Sequence, residues 1–302
     1  MVKVVQSITI FLLLCAVVVV RSTVRSAEES KRFFTRLDES SRQFRFALCA
    51  LTTSHSLINW KWLHQLHKHD IAVYILEDKD ENQLLVKNYI TFLSIETEMT
   101  RNSGFSNGNL VHRVVQAWDK ALFYFTKVSR SYEFVWFMEY DVYIPSLKAF
   151  LDVHNMAIHQ RSDFVVREKE LVDNKWIPWR LGDDFHMDKP WYHSLVCASG
   201  LSRRLLGDVL EYTRTYHQLE MIEVLFHTIT HHKKYNLYLP RQFETINFNP
   251  QGYVNWDCND VLMTHNDMWY HPIKNQTKFL SDCNLTYNPS AAPSVIPSSP
   301  PK

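Results

Sequence analysis

Between Phe44 and Tyr143 the chain alternates short, unbroken apolar runs with longer stretches whose apolar residues recur at helical spacing. Phe44 to Leu51, Ile71 to Leu76, Ile90 to Ile95 and Phe134 to Met138 are unbroken or nearly so. Runs of this kind suit strands covered on both faces, as in parallel sheets flanked by helices. Leu57 to His67 and Leu110 to Val128 read as helices, the second through Val114, Val115, Trp118, Leu122 and Phe125. Further along, Ser194 to Gly200 predicts a strand running into a turn and Leu201 to Thr213 a helix. Gln218 to Thr228 predicts another helix, opening on Glu220 and Glu223. The alternation predicts an α/β fold: a Rossmann-like, mostly parallel sheet with helices on both faces.

The pattern changes at both ends. Residues 1–7 precede an apolar run, 8–20, that has the charge and length of a signal-peptide core and is short for a spanning helix of ~20 residues. It reads equally as a signal anchor or as a cleaved signal. Residues 21–42 are rich in Ser, Arg, Glu and Lys and read as a stem; 288–302 are rich in Pro and Ser and read as a disordered tail. That leaves 43–287 for the folded domain. Lys3 against Arg21 and Arg25 would, by a positive-inside count, leave the body in the cytoplasm. Asn275-Gln276-Thr277 and Asn284-Leu285-Thr286 are glycosylation acceptor patterns, and Cys258 and Cys283 could pair in an oxidising compartment. These favour a luminal body, whereas Cys49 and Cys197, inside predicted strands, read as buried small hydrophobes.

Composition excludes more than it selects. The 302 residues carry a formal net charge of +1, so the basic footprint of a nucleic-acid binder is missing. Only 6 glycines are present, no G-x-G-x-x-G follows the first strand and no Walker-type loop occurs, which removes the nicotinamide and P-loop readings. The group His227, His231, His232, Lys233 and Lys234 reads as the cationic end of a helix.

The candidate chemistry sits where the Phe134 run ends, at Glu139-Tyr140-Asp141. Ligands of open α/β sheets bind beyond the C-terminal ends of the strands, and two carboxylates one residue apart can hold a hard divalent cation against phosphate oxygens. The order of elements, with Trp118-Asp119-Lys120-Ala121-Leu122 preceding Trp136-Phe137-Met138-Glu139-Tyr140-Asp141, resembles the GT-A class of Golgi and endoplasmic-reticulum glycosyltransferases from about Phe44 to Lys274. That class typically carries Asp-x-Asp; here Glu139 replaces the first Asp.

The resemblance implies a nucleotide-sugar donor, UDP- or GDP-linked, held through Mn²⁺ or Mg²⁺. It implies a glycan, protein or lipid acceptor on an acceptor-side lobe, and residence on the Golgi or endoplasmic-reticulum membrane or secretion. It implies Asp141 with His271 or His265 as metal ligands, and Thr52, Glu77, Lys120, Glu139 and Lys274 around the donor. In inverting members a carboxylate at a helix start acts as general base, which makes Glu220 the nearest match and Glu223 the reserve. Asp183 and Asp184 follow, in the aromatic and acidic stretch Trp176 to His186, which reads either as a sugar-binding loop or as a loop anchored on the core. A catalytically silent sugar- or nucleotide-sugar-binding protein is the alternative, and a two-metal phosphoester hydrolase would need more carboxylate and His ligands than are found.

Overall fold

In the computed structural model the described residues are 43–54, 60–107, 115–168, 170–171, 185–247, 256, 258, 261 and 267–283. The terminal segments, Asp183, Asp184, His265 and Asn284 lie outside them, as do 57–59 and 110–114 of two expected helices. Among the described residues no helix is long and apolar enough to cross a membrane.

The expected α/β architecture is present. Strands β1 (Phe46–Thr52), β2 (Ile71–Glu77), β3 (Gln83–Lys87), β4 (Ile90–Ser94), β5 (Phe134–Glu139), β6 (Phe164–Val165), β9 (Ala198–Ser202) and β10 (Leu237–Tyr238) form one sheet in the order β10-β6-β9-β5-β1-β2-β4-β3. A short pair, β7 (Glu170–Leu171) and β8 (Tyr192–His193), stands apart. The central run β5-β1-β2-β4 is parallel, while β9 runs antiparallel to β5 and β3 antiparallel to β4. From β1 the chain moves outward to β2 and β4, then returns to lay β5 against the other side of β1. Such a reversal opens a crevice at the carboxyl ends of the two strands.

Period-2 alternation sends side chains to opposite faces of each strand, and both faces are covered. Cys49, Tyr74 and Phe137 join a core on one face, where they meet helices α2 (Ala117–Phe123), α4 (Arg203–Tyr216) and α5 (Ile222–His232). Leu48, Val73 and Trp136 face the other way, onto the 3₁₀-helix Leu63–His69 and helix α3 (Leu147–His159). Ser146 starts α3 by accepting the Ala149 N–H. Gly200 is required where β9 crosses β5: a Cβ there would come within 2.4 Å of the Phe134 ring.

The differences from the sequence reading are local. Among its described residues, the helix read as Leu110 to Val128 is α-helical over α2 and then widens into a π turn, Tyr124–Val128, closed by Ser129 N–H to the Tyr124 carbonyl. The strand read as Ser194 to Gly200 begins later and runs to Ser202. Glu220 does not open its helix, because Met221 is the N-cap and α5 begins at Ile222. Helix α1 (Thr97–Asn102) and strand β3 precede α2 without having been read from the sequence. The final helix, α6 (Gln276–Asp282), closes the described chain.

Candidate metal and phosphate site

The site lies at the carboxyl end of β5, where the apolar run that makes the strand gives way to polar residues. Glu139 is the last residue of the strand, opposite Leu51 of β1, and Tyr140 N–H donates to the Leu51 carbonyl. The chain then turns, and Asp141 is buried beneath a second segment that arrives from far along the sequence. Tyr143 and Tyr270 exchange both backbone hydrogen bonds, at 2.8 and 2.9 Å, and Ile273 N–H donates to the Asp141 carbonyl at 2.8 Å. Gln276 fastens the same turn, its Nε2 donating to the carbonyls of Tyr140 and Val142. Trp269 locks the segment into the core between Trp136 and Phe150. Behind it, Cys258 and Cys283 are joined in a disulfide within a small cluster of Tyr143, Tyr270, Ile273 and Phe279.

This zipper brings His271 and Lys274 onto the two carboxylates. His271 Nε2 lies 3.5 Å from Asp141 Oδ1 and 3.8 Å from Glu139 Oε2. Its Nδ1 is 3.0 Å from the Asn247 carbonyl, which can only accept, so Nδ1 carries the proton and Nε2 faces the carboxylates. Fixing a ligand imidazole through its other nitrogen is the usual outer-shell arrangement at metal sites. Lys274 Nζ pairs with Asp141 Oδ2, and Trp118 Nε1 donates to Glu139 Oε1 at 3.0 Å. Asp141 Oδ1 is buried and makes no hydrogen bond.

The electrostatics follow from burial and proximity. Burial raises the Glu139 pKa and Asp141 raises it further, against the opposing pull of His271, Trp118 and Lys274. For Asp141 burial also acts upward, but His271 and Lys274 more than offset it and hold the carboxyl below its ordinary range. His271 loses basicity to burial and regains more from Asp141, Glu139 and the Asn247 carbonyl, so its net shift is upward.

A divalent cation fits this donor set. The Glu139 and Asp141 carboxylates flank an oriented imidazole on either side, and the buried Asp141 oxygen without a hydrogen bond is the kind of group a cation would satisfy.

The other residues singled out in the sequence are distributed around the same edge. Thr52, at the end of β1, is buried and engaged locally, donating to the Ser54 carbonyl and accepting its N–H. Glu77 ends β2 and pairs with Lys79 at 2.6 Å. Lys120, almost fully buried in α2, bonds to Asp78 Oδ1 at 3.0 Å and to the Lys79 carbonyl at 2.7 Å. Glu220 has no exposed surface; its Oε1 accepts from Gln218 Nε2 at 2.8 Å and Tyr212 Oη at 3.1 Å. In this conformation its carboxylate is closed off from a dissolved hydroxyl. Glu223, in the first turn of α5, is half-buried, and burial together with Glu139 raises its pKa to about 7.

Two participants were not identified in the sequence. Trp118 was read as a helix core residue, and nothing in its spacing marks an indole N–H aimed at Glu139. Cys197 was read as a buried hydrophobe, yet its sulfur lies in one group with the ligand atoms of Glu139 and His271, all within 4.8 Å of one another.

No protein-family model matches the chain, and no curated protein matches it. Solved structures do superpose, loosely. Mouse xyloside xylosyltransferase 1, apo form, aligns at 9% identity and TM-score 0.40 over 77% of this chain and 98% of that one. The galactosyltransferase LgtC, in complex with donor and acceptor sugar analogues, aligns at 11% identity and TM-score 0.38 over 73% and 79%. The 4-diphosphocytidyl-2C-methyl-D-erythritol synthase of Anaerococcus prevotii aligns at 11% identity and TM-score 0.33 over 64% of this chain and 88% of that one. Superpositions this loose carry no argument about chemistry, which rests on the residues themselves.

Proposed function

We propose that the protein is a metal-dependent glycosyltransferase of GT-A type that takes a nucleotide-sugar donor in the crevice beyond β1 and β5. The observation that carries this reading is the convergence of Glu139, Asp141, His271 and Lys274 at the carboxyl end of a parallel sheet, on a segment stapled there by a disulfide. Glu139, Asp141 and His271 would hold Mn²⁺ or Mg²⁺. When bound, the ion would neutralise the diphosphate and the charge that grows on it as the sugar departs. Lys274, exposed on one side, can turn from Asp141 toward a phosphate oxygen. Trp118 keeps Glu139 in place, and Asn247 keeps the imidazole in its ligating orientation.

For an inverting reaction the acceptor hydroxyl needs a base. Glu223 suits that role better than Glu220, because it is half-buried and its raised pKa, about 7, matches proton abstraction near neutrality. The body would be luminal, with Asn275, an exposed residue whose Oδ1 caps α6, as a glycan acceptor. Incubating the purified domain with a panel of nucleotide sugars, with Mn²⁺ and with chelator, tests the reading. Metal-dependent release of nucleoside diphosphate from one donor supports transfer, and tight metal-dependent binding with no turnover on any donor indicates the silent binding protein instead.

A further inference from the structure

Cys197 is the residue immediately before β9, which runs antiparallel to β5 with Met138 opposite Ala198. Continuing that register by one step places Cys197 opposite Glu139, and the Glu139 N–H donates to the Cys197 carbonyl at 2.8 Å. Directly opposed residues of an antiparallel pair project to the same face of a sheet. The thiol therefore enters the crevice beside the Glu139 carboxylate. Its sulfur, a Glu139 oxygen and a His271 nitrogen all lie within 4.8 Å of one another, and the thiol is half-buried rather than sealed in the core. The buried Asp141 oxygen that makes no hydrogen bond lies 3.5 Å from the His271 nitrogen, at the margin of that group.

We propose that Cys197 is a ligand of this site, giving it a mixed sulfur, nitrogen and oxygen donor set that binds a borderline cation such as Zn²⁺ or Co²⁺ far better than Mg²⁺. Magnesium is held by oxygen ligands in octahedral geometry and keeps several waters, whereas thiolate and imidazole favour zinc-like ions. Binding would release the thiol proton to solvent as the sulfur–metal bond forms, since a coordinating thiol is deprotonated outright. The inference rests on the metal-binding part of the proposed function and names the class of ion.

The test uses the full-length protein and Co²⁺ as a spectroscopic probe. Cobalt should bind with a thiolate-to-metal charge-transfer band that Cys197→Ser abolishes, and the same variant should weaken Zn²⁺ binding by at least roughly 10- to 100-fold, the scale found even for outer-shell partners of metal ligands. In the wild-type protein, Zn²⁺ should protect Cys197 from alkylation, as read by peptide mass spectrometry; this arm needs no variant that must fold. Cobalt binding without the band, together with unprotected Cys197, would overturn the proposal. Should Mn²⁺-dependent UDP binding persist in that case, the glycosyltransferase reading survives the loss of the cysteine; failure of every ion to bind defeats both.

Discussion

Two groups of charged residues sit at the same edge of the sheet, and they are built for different ends. At the end of β2, Glu77 pairs with Lys79, while Lys120 reaches Asp78 and the Lys79 carbonyl. Those partners come from the next turn of chain or from the helix packed above it. At the end of β5, Glu139 and Asp141 are met by His271 and Lys274, the latter from 133 residues further along. There the backbone of a disulfide-tethered segment does the positioning, and one carboxylate oxygen is buried without a hydrogen bond. The first group neutralises itself and stabilises the fold; the second retains the capacity to take up a cation. A strand ending in acidic residues is thus an ambiguous signal, and what resolves it is whether the opposing cations are local.

The largest effect should come from Glu223, whose pKa is raised by burial and by Glu139 of the second group. If Glu223 is the base, Glu223→Gln should lower kcat by roughly 10²- to 10⁴-fold with little change in donor affinity, and Glu220→Gln should leave turnover close to wild type in the folded protein. Steady-state kinetics with the donor found in the panel decides it, and the reverse ranking would return the role to Glu220.

Lys120→Met probes the self-neutralised group. Removing a buried cation leaves the Lys79 carbonyl and the solvent-exposed Asp78 without their partner, at a cost of roughly 1 to 3 kcal/mol. Urea denaturation should show that loss, whereas nucleotide binding by the folded variant should be preserved. Lost binding at unchanged stability would move Lys120 into the donor site that the sequence suggested for it.

A third effect concerns pH. Asp119 is buried in α2, and burial pushes its pKa to about 7, against the favourable hydrogen bond from the Gln116 N–H. The unfolded chain then gives up this proton near pH 4 and the folded chain only near 7. Between those values the folded state binds more protons, so this residue makes stability fall as pH rises, with a slope of at most ~1.4 kcal/mol per pH unit. Denaturation of wild type and Asp119→Asn across that window should show the slope only in the former; parallel curves would contradict it.

Much of this comparison was legible in the sequence. The unbroken runs at Phe46, Ile71 and Phe134 gave the central strands because residues covered on both faces must be apolar at every position. Glu139 and Asp141 were readable as candidates from their place at the end of such a run, and His271 and Lys274 through the resemblance to the GT-A class. What stayed hidden depends on tertiary pairing. The register that sets Cys197 opposite Glu139 is fixed by an antiparallel strand arriving after a long excursion. The pairing of Lys120 with Asp78 depends on how α2 lies over β2. Burial of Glu220 depends on Tyr212 and Gln218, and no spacing rule announces it.

The central claim is that the β5 group holds a cation which in turn holds a nucleoside diphosphate. Calorimetric titration of UDP into the wild-type protein with Mn²⁺ and with chelator, repeated on Asp141→Asn, tests it most directly. The account predicts binding that requires the metal in the wild-type protein and falls by roughly 100-fold or more in the variant, a loss at or above the outer-shell scale because a ligand itself is changed. Metal-independent binding, or equal affinity in a folded Asp141→Asn protein, would contradict it.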